Sequence, residues 1–159
     1  MRFSTASAHA VAVGCRLTPP LITFGRNVIV VDASVLAVAL GDDRADGRHA
    51  RERLAGETLV APELVDLEVV SVWCRQVAAR LMPARRAASA VADLADLPLR
   101  RFSHRPLLHR IWQLRHTVTP YDAAYIALAE AFQVVLVTAD ARLSRASGVH
   151  CEIAAIGGR

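Results

Sequence analysis

Val28-Ile29-Val30-Val31-Asp32 is the stretch that decides the fold. Four consecutive β-branched apolar residues read as a strand buried on both faces, and an acid follows at once. Far along the chain, Val134-Val135-Leu136-Val137 followed by Thr138-Ala139-Asp140 repeats the arrangement. Between and after these two runs, Thr58-Leu59-Val60, Leu99 to Phe102 and Glu152 to Ile156 read as shorter strands. Helical stretches separate them. These are Ser34 to Leu40, Arg44 to Ala55 closed by Gly56, Pro62 to Leu81, Pro83 to Asp96, Pro106 to His116 and Pro120 to Phe132. A further short helix is expected after Asp140. Strands alternating with helices imply βαβ units, right-handed crossovers and a parallel sheet of about five strands, an α/β domain.

Met1 to Asn27 stand apart from this pattern. They are rich in Ser, Thr and Ala, contain no acid, and carry Arg2, Arg16 and Arg26. They read as a leader, either disordered or a start-site artefact, with residues 28–159 forming one domain. A chain of 159 residues is long enough to bury a core without disulfides or a structural metal. Its 53% hydrophobic and 21% charged residues are those of a globular protein. The three cysteines, Cys15, Cys74 and Cys151, form no CxxC pair, and an odd count argues against a disulfide framework. No apolar run approaches the ~18 residues that span a bilayer, and the reading places the protein in a reducing cytoplasm.

All 19 basic residues are Arg. The lack of lysine excludes a P-loop lysine and Schiff-base chemistry. It also argues against a phosphorylated receiver domain, which pairs its edge aspartate with a lysine. The net charge of +4 permits an anionic partner without naming one.

In an open parallel sheet, ligands bind beyond the carboxyl ends of the strands. Asp32 and Asp140 both stand there. Each also suits a helix N-cap, and that reading is the stronger for either one alone. Asp122 sits in Thr119-Pro120-Tyr121-Asp122, where it approximates a capping box, a role compatible with one at the sheet edge. Glu68 lies within a helix that is apolar nearly all round, and a buried acid must be paired or bound to metal. Arg75 is the candidate ion-pair partner. Four converging carboxylates would repel one another, and a hard divalent cation relieves that. With no His or Cys in the set, zinc is disfavoured.

The ordered segments Val30-Val31-Asp32-Ala33-Ser34, Pro62-Glu63-Leu64-Val65-Asp66-Leu67-Glu68-Val69, Tyr121-Asp122-Ala123-Ala124-Tyr125-Ile126-Ala127-Leu128-Ala129-Glu130 and Val137-Thr138-Ala139-Asp140 resemble the PIN-domain ribonucleases of the VapC toxin family. The resemblance covers Val28 to Ile156 and implies a three-layer αβα PIN-like fold. It implies that Asp32, Glu68, Asp122 and Asp140 are catalytic, metal-binding residues for Mg²⁺ or Mn²⁺, with Ser34 and Thr138 as supporting hydroxyls. It further implies an endoribonuclease toxin acting on RNA, a cognate antitoxin and a homodimer. Products would carry 5′-phosphate and 3′-hydroxyl ends. The long leader departs from the family pattern.

RNA would need cations, and Arg85, Arg86, Arg100 and Arg101 are candidates, with Arg105, Arg110 and Arg115 in the same stretch as a groove wall, although for any single Arg a solvated helix face is the favoured reading. Trp73 and Trp112 fall at core spacing. Two alternatives stay open: a DNA-directed nuclease on the same scaffold, which usually carries DNA-gripping insertions, and a non-catalytic RNA-binding PIN domain, which typically lacks one of the acids.

Overall fold

The computed structural model describes residues 27–156. The expected leader, apart from Asn27, lies outside the described residues, as does Cys15. Cys74 and Cys151 are free thiols. Five strands form one parallel sheet: β1 (Val28–Val31), β2 (Thr58–Pro62), β3 (Leu99–Phe102), β4 (Val135–Thr138) and β5 (Ile153–Ala155). Their order is β3-β2-β1-β4-β5, so the strand met first is the central one. Ile29 pairs in register with Leu59 on one side and with Val135 on the other. That position explains the unbroken Val-Ile-Val-Val run: Val30 and Val31 are fully buried.

Six α-helices link the strands: α1 (Ala33–Gly41), α2 (Ala45–Leu54), α3 (Val65–Ala78), α4 (Ala84–Asp96), α5 (Leu108–Gln113) and α6 (Pro120–Phe132). The crossovers from β1 to β2 to β3 step one way across the sheet. The crossover from β3 to β4 steps back past β1. Right-handed connections running in opposite directions put their helices on opposite faces, which makes three layers. The point where the direction reverses lies between β1 and β4. There the two strands are stitched just beyond β1, where the Asp32 N–H donates to the Val137 carbonyl at 2.9 Å.

Several boundaries differ from expectation. Pro62 ends β2 and does not begin a helix; the chain leaves the sheet through Glu63, whose N–H bonds the Phe102 carbonyl at 2.9 Å. A proline at a strand end costs the ladder little. Helix α3 therefore starts at Val65, and it is not buried all round. Its buried stripe is Val65, Val69 and Trp73, while Leu67 on another face is 77% exposed. The stretch from Pro106 to His116 splits into a 3₁₀ turn over Arg105–Leu107 and the short α5. The turn after Asp140 is a 3₁₀ turn as well, over Leu143–Arg145. Trp73 packs in the core at 1% exposure and donates its indole N–H to the Ala37 carbonyl at 3.1 Å. Trp112 does not: it is 67% exposed on α5.

Candidate active site

Each acid is placed by the element that carries it. Asp32 follows β1 and caps α1, accepting weakly from the Ser34 backbone N–H at 3.4 Å on Oδ1. Its other oxygen, Oδ2, is held hard. It accepts from the Ser34 hydroxyl at 2.7 Å and from the Thr138 hydroxyl at 2.5 Å. Those hydroxyls in turn accept from the β4 side: Ser34 Oγ from the Ala139 N–H and Thr138 Oγ1 from the Asp140 N–H, each at 3.0 Å. Two relays thus lock the loop after β4 to the carboxylate after β1. One oxygen of Asp32 is saturated, and the other keeps only a long contact.

Asp122 occupies the first turn of α6. The Thr119 hydroxyl accepts from its N–H at 3.2 Å and donates to its Oδ2 at 2.8 Å, the reciprocal cap that the spacing announced. Glu68 accepts from the Tyr125 hydroxyl at 2.6 Å, so α6 holds it. Arg75 is not its partner and turns to Ser71 Oγ at 2.7 Å. Asp140 is paired with Arg142 through both carboxylate oxygens, the shortest contact being 2.6 Å.

The electrostatics divide the four acids. Burial pushes the Asp32 carboxyl above its usual range, against the lowering effect of the Thr138 and Ser34 bonds, and the charge of Asp122 adds to the rise. Glu68 is raised by burial first, then by the charges of Asp32 and Asp122, with the Tyr125 bond opposing. Among the described residues neither acid has an ion-pair partner. Asp140 is lowered by its bonds to Arg142. The charges of Asp32 and Asp122 thus bear on Glu68, and that of Asp122 on Asp32, while Asp140 is already compensated. Buried carboxylates without a cationic partner suit a hard divalent cation. Among the described residues no three such side chains stand ready as a metal cage; the turn of Asp140 toward Arg142 is consistent with that.

Asp122 and Asp140 also line an open cleft of about 760 Å³. Arg115, Arg142 and Arg145 line the same cleft, so acids and guanidinium groups share its wall. Of the four arginines singled out from the sequence, Arg86 is bonded to Asp43 and the Leu40 carbonyl, and Arg101 to Asp66 in a bidentate pair. Arg100 lies 5.7 Å from the Phe102 ring, and Arg85 is exposed on α4. Arg115, expected from the sequence as part of a groove wall, lines the cleft, whereas Tyr125, Arg142 and Arg145 carry no such expectation. Tyr125 had a signal: it is one turn after Asp122, a polar tip in an otherwise apolar helix.

A parallel sheet in the order β3-β2-β1-β4-β5, flanked by helices, is the architecture of a PIN domain, and the PIN domain family matches residues 29–149. The chain belongs to that family, and within it to the VapC ribonuclease branch. Ribonuclease VapC12 of Mycobacterium tuberculosis is 39% identical over 126 residues, covering 79% of this chain and 97% of the relative. Ribonuclease VapC1 of the same organism is 41% identical over 125 residues, covering 78% and 94%. VapBC2 of Rickettsia felis, solved bound to a DNA fragment from the promoter, shares the fold with TM-score 0.57 at 14% identity, covering 79% of this chain and 98% of that one. M. tuberculosis VapC20, described as a sarcin-ricin loop cleaving toxin, shares it with TM-score 0.54 at 19% identity, over 68% and 86%.

Proposed function

We propose that this protein is a Mg²⁺- or Mn²⁺-dependent endoribonuclease toxin that hydrolyses RNA phosphodiester bonds and is neutralised by a cognate antitoxin. The observation that carries the reading is the buried Asp32 and the half-buried Glu68, whose carboxyls are raised first by burial and which have no paired arginine among the described residues. Its relatives named ribonucleases support RNA as the substrate. Asp32, Glu68, Asp122 and Asp140 would hold the ion. When bound, such an ion lowers the pKa of a water and offsets charge on the phosphate.

The protein's own part is orientation. Ser34 and Thr138 fix the Asp32 carboxylate through Oδ2, so that Oδ1 is the oxygen left to face the site. Tyr125 aims Glu68, and Thr119 aims Asp122. Arg142, whose side chain is 88% exposed, can leave Asp140 at small cost, because a solvated ion pair contributes little. The likeness to a VapBC complex supports an antitoxin partner. We assign the working unit to residues 28–159, as a homodimer, in the cytoplasm, where Cys74 and Cys151 stay reduced. Among the described residues no helix is long and apolar enough to cross a membrane.

The test is cleavage of RNA by purified, antitoxin-free protein. Cutting should require Mg²⁺ or Mn²⁺, stop in EDTA, and leave 5′-phosphate and 3′-hydroxyl ends. Cleavage that persists in EDTA, or 2′,3′-cyclic phosphate ends, overturns the metal mechanism.

A further inference from the structure

Arg115 lines the cleft together with Asp122 and Asp140. The same guanidinium lies 4.8 Å from the centroid of the Trp112 ring and donates to the Trp112 carbonyl at 2.9 Å. Trp112 is 67% exposed, although Arg115 covers one side of it. An indole left this open costs hydration free energy without contributing to the core, since the core tryptophan is Trp73. The guanidinium over the ring favours a polar, anionic partner, because the same Arg115 lines the cleft with Arg142 and Arg145.

We infer that Trp112 is a base-stacking platform that reads an unpaired nucleotide of the RNA, with Arg115 and Arg145 holding the flanking phosphates in the cleft. The inference rests on the ribonuclease reading above and adds to it the form of substrate and the residues that select it. Three features support it together. Arg115 and Arg145 line the same cleft as Asp122 and Asp140, so a strand whose phosphates lie on these arginines is held in the cleft that carries the two acids. A cleft of about 760 Å³ has the size of a small-ligand site. It therefore takes a nucleotide or two of single strand, where a duplex would not enter. A base can stack on an exposed ring only when it has left its own stack, and single-stranded loops and ends supply such bases. The ring and guanidinium together make a mixed platform, because arginine planes also stack on bases.

The test compares the full-length wild type, W112A, W112F, R115Q and R145Q, in EDTA so that the probe survives. The probes are a fluorescein-labelled single-stranded RNA and the same sequence annealed into a blunt duplex. W112A should weaken single-strand binding about 5- to 100-fold, the range for losing one stacked base. W112F should recover most of that binding, and duplex binding should change little. R115Q and R145Q should each lower the slope of log affinity against log salt by about one. Tryptophan emission of the wild type should be quenched by the single strand, and that quenching should vanish in W112A, since Trp73 is buried.

W112A and the wild type must show the same thermal midpoint, which an exposed position predicts; W112F guards against a folding defect. Equal single-strand binding by W112A and wild type overturns the platform. So does an equal loss on single strand and duplex, or a W112A that binds RNA normally but no longer self-associates. If the wild type cuts RNA while any of these holds, only the platform falls. If the wild type neither binds nor cuts RNA, the ribonuclease reading fails and the platform falls with it.

Discussion

Replacing Asp32 by Asn separates its two roles, because the same side chain caps a helix and faces the site. The cap contact is weak: the Ser34 N–H reaches Oδ1 at 3.4 Å. The strong bonds run from Ser34 Oγ and Thr138 Oγ1 to a single oxygen, Oδ2. An Asn oxygen in the place of Oδ2 can accept both of those, and its amide nitrogen then gives up only the weak 3.4 Å contact with the Ser34 N–H. What the substitution removes is the charge. Asp32 is buried and its carboxyl is raised on folding above the ordinary value of 3.8. Its folded environment therefore favours the protonated form. That contribution to stability is complete below the unfolded value and is lost as pH rises through the raised folded value. Above the raised value the native acid has lost it, and Asn has nothing to lose. In EDTA, D32N should be as stable as the wild type or more so. With Mn²⁺ at a hundredfold excess over its dissociation constant, the wild type should gain about 2.7 kcal/mol. In a domain of this size that raises the unfolding midpoint by roughly 10 °C. D32N should lose most of that gain together with cleavage. The assay is thermal unfolding of both proteins with EDTA and with Mn²⁺. A D32N protein that is much less stable in EDTA yet gains fully from Mn²⁺ refutes the reasoning and makes Asp32 a structural cap.

Other consequences are open to measurement. Because Asp32 and Glu68 must be ionised to hold a cation and both are raised, activity should fall on the acid side at a pH above the ordinary carboxylate range; a rate profile flat down to pH 4 would contradict this. Tyr125→Phe leaves Glu68 without its hydroxyl donor, so cleavage should drop, and urea unfolding should show a loss of about 1–3 kcal/mol at unchanged slope. Trp73→Ala opens the core between α1 and α3 and should cost about 3–5 kcal/mol, read as a shifted urea midpoint. Arg101→Ala should destabilise by about 1–2 kcal/mol rather than weaken RNA binding, since the guanidinium ties β3 to Asp66 on α3 and to the Leu94 carbonyl; a binding assay showing the reverse would return Arg101 to the substrate surface.

Local physics was legible in the residues themselves. A run of four β-branched residues has no comfortable state except a strand covered on both faces, so β1 and β4 could be read directly, and with them the parallel sheet. Thr119 and Pro120 announce the start of α6 by capping chemistry that needs no tertiary partner. The four acids stood out for the same reason, as charged residues at strand ends or inside an apolar helix. Two things needed the folded chain. Pro62 belongs to β2 because Phe102 of a distant strand pairs with it, and nothing local says so. The partner of each side chain is settled by three-dimensional neighbours: Glu68 finds Tyr125 across the fold rather than Arg75 on its own helix, Arg86 and Arg101 are taken up by Asp43 and Asp66, and Trp112 lies on a face of α5 that no other element covers among the described residues. Periodicity fixes which residues share a face, but only the packing of elements far apart in sequence decides which face is covered and which charges meet.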